Sequence, residues 1–391
     1  MMVLTVIPFY CKNYKKGIIM KLLQLKIMFL VLSVFIVSSL YADVITETTI
    51  GSGYEDNLFN DSSSTSDSYA FIGMDMKYYP SSSAQLTAGA QYNAFSSFSD
   101  LSNLTGNLSA TIIPTPESSP FSLALTGTAT VRKFGTLYEW YNQVGTSVGT
   151  DISYRLLRWA HLQSSASYIN NNYTKSDFGS NQTVNFAMGI NFTVLNSNSI
   201  TFKMDYSQRL FDQPTLIQEG SGNSFSNNQS KSETFDITGI LIRYSRPLGK
   251  RTGLNLSLGH RQLHLDNDYT VLGYTIDYLS PWSDLWEGMS FSGGLKHFFP
   301  KQITTKLSFA YYDKRFIDVV ELDEFTSGTY WQDTRDDQLS ILSLSISKPI
   351  LIQSNKMFTP FLYFEYRKNE STIRFFNYEN IMVSVSLKMA I

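Results

Sequence analysis

The feature that most constrains this chain is a period-two alternation of apolar and polar residues held over long segments. From Val184 to Val194 the sequence reads Val-Asn-Phe-Ala-Met-Gly-Ile-Asn-Phe-Thr-Val. Val184, Phe186, Met188, Ile190, Phe192 and Val194 share one face, and Asn185, Ala187, Gly189, Asn191 and Thr193 the other. The stretch Phe121–Arg132 repeats the pattern, as does Ile381–Ile391. These runs exceed the ~5–6 residues of a soluble strand and suit the ~9–11 of a tilted strand crossing a bilayer. Their polar face carries mostly Ser, Thr, Asn, Gln and Gly, not the Lys and Glu of a water-exposed sandwich. In lipid every backbone polar group must pair internally, so such strands close on themselves. The expected fold is all-β: an antiparallel up-and-down membrane-spanning β-barrel.

Composition narrows the function classes. Charged residues are 16% of the chain, below the ~25% of ordinary soluble domains. The net charge of −2 supplies no basic field for nucleic acid. Cys11 is the only cysteine, which excludes a disulfide framework and any cysteine-built metal site. Neither a cofactor nor a metal is expected.

The apolar run Ile27–Val37 is too short for a spanning helix, which needs ~20 residues. Lys21 and Lys26 precede it and Ala42 follows, as in a secretory signal peptide. Residues 20–42 are therefore read as the signal, 1–19 as an extension upstream of the true start at Met20, and 43–391 as the barrel.

Turn-rich breaks alternate in kind. One set is short and holds Pro, Gly or Ser, as at Pro80, Pro114–Pro120, Leu157–Ala160, Pro247, Pro300 and Pro349. The other is mostly longer and polar, as at Asn60–Ser66, Asp212–Lys231 and Asp318–Arg335. Short periplasmic turns and longer external loops are the barrel pattern. Counting by that rule places strands at 45–57, 68–79, 85–95, 103–113, 120–133, 140–155, 160–172, 182–195, 199–211, 233–247, 253–266, 287–299, 303–317, 337–349, 357–368 and 375–391. That is about sixteen strands; fourteen to eighteen are compatible with the pattern. Tyr269–Tyr278 also looks like a strand, but counting it breaks the parity, so it is read as extending a hairpin above the membrane. Aromatic residues near strand ends, among them Tyr78, Tyr138, Tyr141, Tyr154, Tyr206, Phe211, Tyr311 and Tyr366, fit interfacial girdles.

If the apolar faces touch lipid, the opposite faces line a lumen. Its expected charged lining is Lys77, Arg132, Arg155, Lys203, Asp205, Arg209, Arg243, Arg261, Lys296, Lys306, Lys314, Glu365 and Arg367, with Glu47, Glu55, Asp75 and Asp151. So many charges do not fit a dry core. A water-filled interior accommodates them, and about sixteen strands are wide enough for one. The excess of basic residues implies a mild anion preference; the competing reading is that the charges pair and plug the lumen.

No nucleophile–base constellation, zinc motif or phosphate loop occurs in a supporting context. His260 and His264 lie ~13 Å apart along a strand, too far for shared ligation. His264 near Asp266 and Asp268 is the one candidate base, and the acidic stretch Asp333–Asp337 the one candidate cation site; ordinary solvated charge explains both.

The segments Gly51-Ser-Gly-Tyr-Glu-Asp-Asn-Leu-Phe59, Arg335-Asp-Asp-Gln-Leu-Ser340, Phe364–Ile373 and Asn377–Leu387 resemble porin-like outer-membrane barrels of Gram-negative bacteria, and the C-terminal barrel of surface lipoprotein assembly modifiers. The tetratricopeptide domain that precedes the barrel in those modifiers has no counterpart here, and the last residue is Ile391 where such barrels usually end in Phe. The resemblance implies the outer membrane, contact with its lipid, and insertion by the barrel assembly machinery. The expected function is passive passage of small solutes. The alternative is a barrel that exports or displays a macromolecule, or a structural partner of an outer-membrane complex; an enzyme is a third class.

Overall fold

The structure, a computed structural model, describes residues 44–391 apart from 117, 176–179, 195–196, 212–232, 266–269, 272–282, 284, 317–318, 321–334 and 354–355. The segments 1–19 and 20–42 lie outside the described residues, as does the whole Asp212–Lys231 loop.

Sixteen long strands make the wall. They are β1 (Val44–Glu55), β2 (Asp67–Ser81), β3 (Ala84–Phe95), β4 (Asn103–Ile112), β5 (Phe121–Phe134), β6 (Gln143–Leu157), β7 (Ala160–Tyr173) and β8 (Asn181–Val194). The second half comprises β9 (Asn198–Phe211), β10 (Glu233–Pro247), β11 (Thr252–Leu265), β12 (Glu287–Phe298), β13 (Thr304–Phe316), β14 (Arg335–Ser347), β15 (Lys356–Ser371) and β16 (Tyr378–Ala390). Each pairs antiparallel with its neighbours in the chain. The ring closes where β1 pairs with β16, with Glu47 opposite Ala390 and Glu55 opposite Met382. Thr46 and Ile391 exchange two backbone bonds of 3.0 Å beyond that ladder. Closure leaves no edge, which is what lets a sheet live in lipid. Every expected strand is present, its ends within three residues of those read from the alternation.

The turn end is tight. Ser81 pairs with Ala84 and Leu157 with Ala160, so two residues complete each of those reversals. Pro80 lies within β2, where the register to β3 shifts between Tyr78 and Ser81; proline has no donor to offer the ladder there. Ile350–Gln353 folds back on the start of β15. At the loop end Thr270–Val271 pairs in parallel with Val319–Val320. The described part of Tyr269–Tyr278 thus joins a different loop and does not prolong its own hairpin.

The register fixes two faces. One row runs Ile50, Ile72, Tyr92, Leu104 and on around the ring. Its large apolar residues stay exposed although every strand is fully paired: Leu108 by 59%, Val148 by 62% and Met204 by 59%. A protein in water would bury them; a bilayer is their partner. Two girdles bound this belt. Tyr78, Phe121, Tyr154 and Tyr244 lie toward the turn end, and Tyr54, Tyr92, Tyr168, Tyr206, Tyr311 and Tyr366 toward the loop end. Phe211 departs from the girdle expectation, because it faces inward and packs in an apolar cluster. Tyr138 and Tyr141 depart too, packing within loops against Leu58, Leu101 and Phe134.

Candidate functional site

The candidate site is the inner face. By register, all seventeen charged residues expected there alternate with the lipid-facing row. Their heights differ. Lys77, Arg155, Arg243, Lys296 and Lys306 lie near the turn end of their strands. Asp75, Asp151, Lys203, Asp205 and Glu365 lie at middle height, and Arg132, Arg209, Arg261, Lys314 and Arg367 near the loop end. The lumen therefore carries basic zones at both mouths and a waist richer in carboxylates. Lys296 stands directly opposite Lys306, and its ammonium lies 4.7 Å from the Phe298 ring. Like charges face each other there without an acidic residue at the adjoining inward positions, an arrangement that water tolerates and a dry core does not.

Other charges are paired, and they cluster where the first and last strands meet. Glu47 bonds Lys388 at 2.8 Å, and Arg367 donates to Glu365 at 2.5 Å. The Asn380 amide donates to Glu55 Oε1 at 2.7 Å and to the Asn57 carbonyl at 2.9 Å. Tyr69 and Phe71 on β2 lie over Gly53 and Gly51 of β1; a side chain at Gly53 would fall 2.5 Å from the Tyr69 ring. Glycine here makes room for an aromatic of the neighbouring strand. Arg335 and Asp337 form an ion pair of 2.5 Å, each less than one-tenth exposed. The Arg335 guanidinium is sandwiched between Phe316 at 4.3 Å and Phe376 at 3.3 Å. Asp337 is thus an inward strand residue with a partner, not a loop carboxylate offered to a cation. Asp333 lies outside the described residues, and among those described no cluster of His, Cys, Asp and Glu could hold a metal.

Arg335, Asp337 and Lys388 are inner-face charges that the sequence reading left out. A count of alternate positions along β14 and β16 would have found them.

The histidines are scattered. His161 faces inward opposite Arg155. His260 and His264 face outward, and His264 stands opposite Asp236. That carboxylate already accepts Tyr206 Oη at 2.9 Å and Gln208 Nε2 at 3.0 Å. His297 faces outward 2.7 Å from Thr252 Oγ1. Asp266 and Asp268 lie outside the described residues.

The loop-end mouth is less polar than expected. Phe211, Phe235, Ile237, Leu263 and Leu285 form one buried apolar cluster. A second is built by three loops folding together: Leu58, Leu101 and Phe134, flanked by Phe59, Phe95, Phe98, Tyr138 and Tyr141. Asp67 ties these loops by accepting the Ser96 hydroxyl and, at 3.0 Å each, the Ser97 and Phe98 amides. Gly135 approaches so closely that a side chain would fall 2.7 Å from the Asp100 Cα. Loops that cover a mouth need a core of their own, which the alternation of the strands does not encode. Burial, with the Asp100 carboxylate beside it, pushes the Tyr138 phenol above its ordinary value.

The two sides of the lumen differ in bulk. On β5 to β9 the inward row is mostly small: Ser122, Ala124, Thr126, Ser147, Gly149, Ser165, Ala187 and Gly189. These leave a concavity of about 300 Å³ in the wall, bordered by Asp151 and Lys203. On the opposite side Tyr312, Leu339, Ile341, Tyr363, Glu365 and Arg367 project inward.

A closed sixteen-strand wall with a lipid-facing belt, two girdles and a charged interior decides the class. The chain is a closed, membrane-spanning β-barrel of the outer-membrane type. A family model described as surface lipoprotein assembly modifier matches residues 286–390 of this barrel. No curated protein matches. Among solved structures, the barrel is similar to Acinetobacter baumannii OccAB1, with 10% identity, a TM-score of 0.47, and 89% of this chain and 96% of that one covered. It is similar to Pseudomonas aeruginosa OpdL, with 11% identity, a TM-score of 0.46, and 89% and 98% covered. The siderophore receptor PirA of Pseudomonas aeruginosa gives 9% identity, a TM-score of 0.41, and 89% and 81% covered.

Proposed function

We propose that this barrel is a non-enzymatic channel for passive passage of small solutes, with a mild preference for anions. The observation that carries the reading is the inner face, where basic residues stand at both mouths and Lys296 opposes Lys306. Such groups need water, and a water-filled barrel of this strand number conducts ions. The test is single-channel recording of refolded protein in a planar bilayer. Stable steps support an open lumen, and silence from a heat-modifiable barrel overturns it. In a KCl gradient the reversal potential should show anion preference, and replacing Lys296 and Lys306 by Gln should move it toward zero. A strongly cation-selective pore would sink the anion reading.

The family match over 286–390 favours a second reading, in which the barrel handles a surface lipoprotein. A silent barrel that co-purifies with such a lipoprotein would select it.

A further inference from the structure

The concavity in the small-residue wall carries one charge of each sign, and among the described residues neither charge has a partner within the protein. Asp151 on β6 and Lys203 on β9 both border it, separated by β7 and β8. Three strand spacings and a two-residue offset along the strand put their backbones roughly 16 Å apart. Between them the register sets Ser165 and Ala187 in line with Asp151, and Gln163 and Gly189 in line with Lys203. None of these side chains is large enough to fill the gap. Asp205, the other carboxylate near Lys203 on its strand, leans away: its Oδ2 lies 2.6 Å from where a Cβ on Gly239 would be. The site thus offers an anion and a cation facing one space, amide and hydroxyl groups along its floor, and room for a small molecule.

From this arrangement we infer that the concavity is a subsite for a zwitterionic solute of amino-acid size. Its ammonium bonds Asp151 and its carboxylate bonds Lys203. A solute of one charge satisfies one wall residue and is repelled by the other, so recognition favours the molecule that carries both. The inference rests on the channel reading, because the site faces the lumen and solutes reach it only through an open mouth. It adds to that reading a class of solute that net anion preference does not predict.

The experiment is saturation-transfer NMR on the refolded full chain in detergent, with alanine, propionate and ethylammonium as matched probes. Alanine should give the strongest transfer. Asp151→Asn and Lys203→Gln should each weaken it about tenfold or more. Combining Asp151→Lys with Lys203→Asp should restore it, with the solute reversed. Unchanged heat-modifiability of each variant shows that folding is intact. Propionate binding as well as alanine, or alanine binding indifferent to both single substitutions, overturns the subsite. Bilayer recording separates the two proposals: a conducting barrel that prefers no zwitterion loses the subsite alone, and a silent barrel loses the channel.

Discussion

The two inner walls of this barrel share strand length, pairing and lipid-facing belt, and they differ in the row that points inward. The β5–β9 wall presents Ser, Thr, Ala and Gly and leaves a concavity. The wall from β13 through the closure to β2 presents Tyr312, Ile341, Tyr363, Arg367, Tyr69 and Phe71, several of them hydrogen-bonded or ion-paired. Backbone geometry sets how wide the barrel is, and the size of alternate residues sets where water runs inside it. The open path is therefore eccentric. The bulky wall is also the wall that must hold the ends of the chain together. There Glu47–Lys388 and Glu55–Asn380 bridge β1 and β16 near opposite ends of the closing ladder. In the proposed channel one wall borders the water path, and the other holds the closure.

That division predicts unequal costs. The largest effect is expected at Arg335 on the bulky side. Replacing it by Ala leaves Asp337, which is 2% exposed, as a buried charge without its guanidinium, and removes the ring sandwich. Loss of one partner of a buried pair costs about 3–5 kcal/mol. The temperature at which the barrel loses its folded mobility on an SDS gel should fall clearly. Arg335→Met combined with Asp337→Leu should fall less, since no charge is stranded. Equal losses in the two variants would mean that the rings, not the pair, hold this corner.

A smaller effect with a different readout is expected on the open wall. Ala187→Trp puts a large ring into the water path without touching an ion pair. Conductance should drop about twofold, with little change in heat-modifiability. Leu339→Trp on the opposite wall should change conductance far less. The same drop from both sides would mean that the path is central, and the comparison of walls would fail.

Much of this was legible in the sequence, and the reason is local. The period-two pattern exposes strand length directly, so all sixteen strands could be read from it. What could not be read depends on contacts between distant segments. Phe211 looks like a girdle residue by its place near a strand end, yet it is inward and meets Phe235 and Leu263. Asp337 looks like loop charge because the strand starts earlier than the pattern shows, at Arg335, which puts the two on one face; that is a boundary error and not a distant contact. The apolar caps at the mouth combine the ends of neighbouring strands and side chains of successive loops, and nothing periodic marks them. The eccentricity of the lumen was present in the alternate residues, but only the closed ring shows which rows face each other.

The smallest predicted effect concerns the loop cap that runs from the β1–β2 loop to the β5–β6 loop, at the border of the open wall. Tyr138 packs there beside Tyr141, with ring centroids 6.5 Å apart, and its phenol is held above its ordinary value of 10.0 by burial and by Asp100. The folded cap therefore binds the phenolic proton more tightly than the unfolded loop does. Its stabilisation is complete below the unfolded value and is lost as pH rises through the folded one. Trp140 lies in the same segment and is 60% exposed, so its fluorescence reports the cap. A spectral change above about pH 10 is expected in the natural protein and should vanish in Tyr138→Phe, while the strand ladders stay intact by circular dichroism. If the change persists in that variant, another group loosens the cap. If circular dichroism changes with it, the cap is not a separate unit, and the open wall owes more to its loops than the comparison of walls allows.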